Sequence, residues 1–329
     1  MRGDVHQEQR SLSPVPDMTY PVELTPPDIE PYRKGNTGID YVTTFESGKP
    51  GPHVTIFALT HGNEICGAIA VDRLFKLGVR PARGKLSLAF SNVGAFNTFD
   101  PKNPSASRFI DEDINRVWDP ATLDGPRKSA ELTRARQLRP FLDTVDTLLD
   151  IHSMQHATPA LMLTGLLGKS LELAHRIGAP RTIVRDEGHA AGRRMRDYGG
   201  FGDPASPKTA LLIECGQHWE RASGDVAHDV TWRFLAESGV LSPAETERHR
   251  ARPPVEQRVL TVTQAITIET DRFEFAQDYR GLEVIPKVGT VIAKDGGREI
   301  RTPYDNCVLV MPTRRITKGQ TAVRLGRYG

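Results

Sequence analysis

Residues Thr60-His61-Gly62-Asn63-Glu64 set an imidazole and a carboxylate three positions apart. They follow an apolar, β-branched run at 54–59, which predicts a buried strand ending where small and polar residues take over. Sites in α/β folds form at such strand ends. A His and a Glu placed there can turn a nitrogen and an oxygen toward one point, and zinc accepts both ligand types. A surface loop with an incidental His-Glu pair fits the same five residues, so the rest of the chain has to decide.

Two more strand ends carry polar chemistry. The run at 147–151 ends on His152, with Asp150 two residues before it, and Ala210-Leu211-Leu212-Ile213 ends on Glu214. A parallel sheet gathers its strand ends at one edge, so distant residues can converge. His61, Glu64 and His152 then make the two-His, one-Glu set of a catalytic zinc site, which leaves a coordination position open. Zinc chemistry on water also needs a separate carboxylate to take and return a proton. Glu214 has that character; an ion pair with one of the arginines is the alternative. Between these points, Arg108-Phe109-Ile110-Asp111-Glu112-Asp113-Ile114-Asn115-Arg116 offers planar guanidinium forks. Arg108 can stabilise an oxyanion, and Asn115 beside Arg116 can hold a carboxylate. A solvated loop with local Asp–Arg pairs explains the same stretch. His53, His156, His189 and His218 are rival ligands, but none has a Glu at ligand spacing.

The elements that must position these residues are legible in outline. Strands are expected at 39–46 and 53–60, a helix at 65–77 and a strand at 86–90. Strand–helix–strand favours a parallel pair with a crossover helix. Residues 97–126 are rich in Pro, Asp and Asn and read as a long functional loop. A helix at 129–142, strands at 147–151, 160–164 and 182–184, and a helix at 171–177 follow. A glycine-rich basic loop at 188–207, the strand at 210–214 and a helix at 225–238 complete the larger part. Residues 245–254 read as a linker ending in Pro253-Pro254. Beyond residue 255 helical periodicity gives way to short runs at 259–262, 290–293, 307–311 and 321–325, the pattern of a small all-β barrel or sandwich. The expected fold class is therefore α/β, a mixed, largely parallel sheet flanked by helices, with a smaller β-rich C-terminal domain. The expected division is an extension at 1–31, a catalytic domain at 32–250 and a C-terminal domain at 251–329.

The 329 residues carry a formal net charge of +2, which gives no strong attraction for nucleic acid or membrane. No apolar run approaches a membrane span, and residues 1–10 lack the apolar core of a signal peptide. A cytoplasmic protein is the expectation. Cys66, Cys215 and Cys307 are too far apart for a CxxC site and read as small buried residues.

His61-Gly62-Asn63-Glu64, Arg108 with Asp113-Ile114-Asn115-Arg116, Leu149-Asp150-Ile151-His152 and Ile213-Glu214-Cys215-Gly216 occur in that order. Together they resemble the succinylglutamate desuccinylase/aspartoacylase family, which is related to the zinc carboxypeptidases. The resemblance spans roughly residues 40–325. It implies a zinc carboxypeptidase-like fold and one zinc ion per chain on His61, Glu64 and His152. It also implies that Glu214 is general base and then acid, that Arg108 polarises the scissile carbonyl, and that Asn115 and Arg116 hold the substrate carboxylate. Asp150 would orient a ligand from behind. Tyr304 would reach the site from the C-terminal domain. Arg193, Arg194, Arg196 and Tyr198 lie in a loop suited to a second substrate carboxylate, without clean alignment to the family pattern. The implied activity is cleavage of a small N-acyl amino acid. The rivals are a zinc carboxypeptidase acting on peptides and a metal-binding module without activity. Homo-oligomerisation is left open, and so is cobalt or manganese in place of zinc.

Overall fold

The computed structural model describes residues 20–189, 191–249 and 253–329. What the sequence leads one to expect for residues 1–19, and for 250–252 of the linker, lies outside them. The chain enters its main sheet through β1 (Val42–Glu46) and β2 (His53–Ala58), then passes through α1 (Ile65–Lys76) to β3 (Lys85–Phe90) and the short α2 (Val93–Phe96). α3 (Pro120–Asp124) and α4 (Ala130–Leu142) lead to β4 (Thr147–Met154) and β5 (Leu161–Leu163). Next come α5 (Gly168–Ile177), β6 (Thr182–Arg185), β7 (Thr209–Gln217), α6 (Arg221–Glu237) and α7 (Pro243–Glu247). The remaining elements are strands: β8 (Arg258–Thr267), β9 (Phe273–Phe275), β10 (Glu283–Ile285), β11 (Val291–Asp295), β12 (Arg298–Arg301), β13 (Cys307–Val310) and β14 (Thr321–Tyr328).

The main sheet has the order β1-β3-β2-β4-β7-β5-β6-β8-β14-β13-β10. Its centre is parallel: β2 pairs with β3 and β4, and β4 with β7. The side-chain alternation of a strand divides β2 between two cores. Val54, Ile56 and Ala58 pack with α1, α5 and α6, whereas Phe57 packs with Leu132, Ala135 and Leu138 of α4. Helices on both faces explain why every residue of β2 is buried and why it reads as a continuous apolar run. Each fully buried aliphatic side chain here contributes roughly 1.5–3 kcal/mol.

The structure adds detail to two expectations. The stretch at 97–126 contains 3-10 turns at Pro104–Arg108 and Ile114–Arg116 as well as α3. These turns are too short to show periodicity. Local chemistry starts them instead: Pro120 sits in the first turn of α3, and the Asp119 carboxylate caps it by accepting the Thr122 N–H at 2.9 Å. The C-terminal strands form the expected small β-rich part, a sandwich of two sheets rather than a barrel, and one of those sheets is continuous with the main sheet. β8 pairs in parallel with β6, and β14, β13 and β10 carry the main sheet onward. This pairing covers what would otherwise be an open sheet edge. β12-β11-β9 form a second sheet, and its buried residues pack with those of β10, β13 and β14.

Candidate metal centre and its cavity

β2 ends at Ala58, and Leu59 turns the chain with φ 59°, a left-handed conformation that costs a β-carbon about 1–2 kcal/mol. The bend delivers His61 and places Glu64 at the N-cap position of α1. Gly62 is required between them. A β-carbon there would lie 2.4 Å from both the Phe96 nitrogen and the Ser107 carbonyl oxygen. Its own N–H donates to the Arg108 carbonyl at 3.1 Å, which binds the Arg108 segment to the His61 turn.

The Glu64 carboxylate lies between two imidazoles. Oε1 is 2.7 Å from His61 Nδ1, and Oε2 is 2.8 Å from His152 Nδ1. The rings of His61 and His152 are 5.1 Å apart, and the donor atoms of all three residues fall within 4.8 Å of one another. The far nitrogens face carboxylates. His61 Nε2 is 2.9 Å from Asp113 Oδ1. His152 Nε2 is 2.8 Å from Asp150 Oδ2, without hydrogen-bond alignment. Asp150 also accepts from the Thr60 hydroxyl at 2.7 Å. Carboxylates behind the histidines fix ring orientation and raise ligand basicity, the arrangement typical of metal-binding imidazoles. The three residues fit one divalent ion by donor type, spacing and backing.

Burial alone would raise the Glu64 carboxyl, but the two imidazoles hold it well below the usual range. Burial would likewise push the His152 imidazole down, and Asp150 and Glu64 raise it well above its ordinary value. Asp113 is half-buried; burial would raise its carboxyl, but His61, Arg108 and Arg116 hold it well below the usual range.

Glu214 is the register partner of His152 across β4 and β7. It is buried, and its Oε2 atom has no hydrogen-bond partner among the described residues. Burial pushes its carboxyl well above the carboxylate range, against the pull of His152 and Arg108. A buried, unpartnered carboxylate beside a donor cluster is costly unless the site uses it. Arg108 closes another side, with Nη1 at 3.3 Å from Glu64 Oε1 and Nη2 at 3.2 Å from Asp113 Oδ2. Asn115 Oδ1 accepts from the Met195 N–H at 2.8 Å, and Arg116 Nη1 donates to the Asn115 carbonyl at 2.7 Å.

These residues line one cavity of about 570 Å³. It contains His61, Glu64, Arg108, Asn115, Arg116, His152 and Glu214. Tyr304 is not brought to it. Its hydroxyl is 2.6 Å from Thr263 Oγ1, and Arg327 stacks over its ring, so it belongs to the packing of the C-terminal strands. Of the four residues noted in the glycine-rich loop, only Arg194 lines the cavity. Arg196 is buried against the carbonyls of Thr164 and Ala210, and the Tyr198 hydroxyl donates to Asp143 at 2.7 Å. Arg193 instead joins the backbone bridge to Val117. Among the rival histidines, His53 lies at the start of β2, bonded to Ser87 Oγ at 2.7 Å, and does not line the cavity. His156, His189 and His218 line the cavity outside the donor triad. Sequence reasoning missed the wall made by Ser153, Asp186, Met311, Thr313, Arg315 and Arg324. Its only signal was a set of charged residues scattered through β-rich sequence.

Fold and donor set together describe an α/β chain able to hold one divalent ion at the ends of its central strands. Residues 50–218 match the succinylglutamate desuccinylase/aspartoacylase catalytic domain. The chain belongs to the succinylglutamate desuccinylase/aspartoacylase family. It is 30% identical over 115 residues to an aspartoacylase from Xenopus tropicalis, a match spanning 32% of this chain and 34% of that protein. A succinylglutamate desuccinylase structure from Vibrio cholerae superimposes with a TM-score of 0.63 at 18% identity, over 88% of this chain and 86% of that one. A second, from Vibrio parahaemolyticus, gives 0.64 at 15% identity over the same shares, 88% and 86%. At these identities the two structures speak for the fold. Among the described residues no helix is long and apolar enough to cross a membrane.

Proposed function

We propose that this protein is a zinc-dependent hydrolase that cleaves the amide bond of a small N-acyl amino acid. The observation carrying this reading is the convergence of His61, Glu64 and His152 within 4.8 Å beside the unpartnered oxygen of Glu214. Family membership supports it. His61 Nδ1, the Glu64 carboxylate and His152 Nδ1 would hold the ion. When bound, it would supply Lewis acidity and lower the pKa of a water.

The chain's own residues carry the remaining steps. Glu214 takes a proton from the attacking water and passes it to the departing amide nitrogen. Arg108 donates to the carbonyl oxygen as negative charge develops there; loss of one such donor costs about 3–4 kcal/mol. Asn115 and Arg116 hold the substrate's carboxylate and so fix the amide over Glu214. The products are a carboxylate and a free amino acid. Met311, Thr313, Arg315, Gln320 and Arg324 of the C-terminal part line the same cavity, which favours a small substrate over an extended peptide.

The test is a screen of the zinc-loaded protein against acetylated and succinylated amino acids beside short peptides, with detection of the released amine. Release from one or more N-acyl amino acids is expected. Metal-replete protein that hydrolyses no amide or ester would count against the reading.

A further inference from the structure

Glu131 stands in the first turn of α4 and is wholly buried, yet it does not line the cavity. Four neutral N–H donors converge on its carboxylate. The Ile110 N–H reaches Oε1 at 2.6 Å, and the Asp111 and Glu112 N–H groups reach Oε2 at 3.0 and 3.2 Å. Asn92 Nδ2 donates to Oε1 at 3.0 Å. Three consecutive backbone N–H groups aimed at one anion form a nest, and the N-terminal end of a helix dipole favours the same charge. A buried carboxylate is costly without such partners. An acid this close to a helix start commonly serves the helix's own N–H groups. Here all four bonds come from other segments, and α4 is capped by Ser129, whose Oγ accepts the Leu132 N–H at 2.9 Å.

The anchored residues lie between Arg108 and Asp113, and both of these line the cavity. Arg108 Nη1 stands 3.3 Å from Glu64, and Asp113 stands 2.9 Å from His61. The loop is braced in the reverse direction too. Asp111 Oδ2 accepts the Ala130 N–H at 2.7 Å, and Ser129 Oγ donates to Glu112. Asn92 extends the brace to the His61 turn, because its backbone N–H donates to the Leu59 carbonyl at 2.7 Å. One hydrogen-bonded chain therefore joins α4, the 110–112 backbone and the turn that carries His61 and Glu64.

We propose that Glu131 is a positioning residue: it holds the 110–112 backbone so that Arg108 meets the developing oxyanion and Asp113 backs His61. The part played through Arg108 rests on the deacylase reading; the brace itself rests on geometry.

Glu131→Gln tests it. The change is nearly isosteric, but the amide NH2 then faces N–H donors on one side of the nest. Hydrogen–deuterium exchange of the metal-free protein is expected to speed by roughly tenfold across residues 109–113, while β2, β4 and β7 keep their wild-type protection. Zinc affinity, read against a competing chelator, is expected to fall about 10-fold or more as Asp113 loses its place behind His61. With saturating zinc and the N-acyl amino acid the wild type turns over fastest, kcat is expected to fall roughly 10–100-fold. KM should change by less than about threefold, because the Arg108 contact forms in the transition state. In an R108K background E131Q should then cost less than about threefold more. Glu131→Asp, which keeps an acceptor and withdraws it by one methylene, should fall between wild type and E131Q; it also serves if E131Q does not fold by circular dichroism. Unchanged exchange at 109–113, faster exchange spread over the central strands, or losses that multiply in the R108K background would overturn the proposal. A protein that hydrolyses no N-acyl amino acid, yet shows the local exchange and the weaker zinc binding, sinks the deacylase reading and leaves the brace standing.

Discussion

His152 and Glu214 are register partners on adjacent parallel strands, so backbone pairing of β4 with β7 sets their separation. The candidate ligand and the candidate base are therefore as rigid as the sheet itself, which is what a preorganised site needs.

This arrangement makes Glu214→Gln informative. The variant is expected to keep its ion and lose about 10²–10⁴-fold in turnover. Burial raises the Glu214 pKa, so its basic form accumulates as pH rises through that value, and wild-type kcat/KM should climb with it. The stability sign is opposite. A raised folded pKa means that the protonated carboxyl favours folding below the unfolded pKa, and this contribution is lost as pH rises through the folded one. At neutral pH the Gln variant should melt higher than wild type. Comparable turnover by folded, metal-loaded E214Q would place the base elsewhere.

Asp150 touches no substrate in this account; it orients His152 and binds Thr60. Asp150→Asn is expected to weaken zinc binding about 10–100-fold, read by titration against a competing chelator. Unchanged affinity would show that the contact is incidental.

The Asp186–Arg194 pair is almost wholly buried, and breaking it leaves the Arg194 guanidinium with Asp197 as its remaining partner. Asp186→Asn is expected to cost about 3–5 kcal/mol at neutral pH. Burial would raise the Asp186 pKa, but Arg194 holds it below the ordinary value. The pair's contribution is therefore present above the unfolded carboxyl pKa and lost as pH falls through the folded one. The melting difference between wild type and variant should shrink on acidification. A gap that stays constant down to about pH 3 would contradict this.

Gly62→Ala tests the close backbone approach in the His61 turn. With 2.4 Å contacts to backbone atoms on two other segments, nothing flexible can yield. A destabilisation of about 1–3 kcal/mol is expected in denaturant melts, together with weaker metal binding, because His61 is carried on the same turn. Wild-type stability would mean that the turn adjusts freely.

The central sheet was legible because strands covered on both faces carry long, mostly apolar runs, as β2 and β7 do, and are buried along their whole length. The polar residues at their ends stood out against that background, and this exposed His61, Glu64, His152 and Glu214. What stayed hidden depended on contacts remote in sequence. Asp113 reads as a loop acid paired with nearby arginines, and its contact to His61, 52 residues away, has no sequence signature. Tyr304 was misplaced because its neighbours Thr263 and Arg327 come together only when β8 and β14 pair. Arg324 stayed invisible for the same reason: only the β6–β8–β14 continuation turns the end of the chain into a cavity wall.

The most direct test of the central claim is metal content by mass spectrometry of the protein and its His152→Ala variant, both loaded with zinc and desalted. One ion per chain in the wild type and almost none in the folded variant are the predicted results. A full equivalent retained by H152A, or none held by the wild type, would contradict the account.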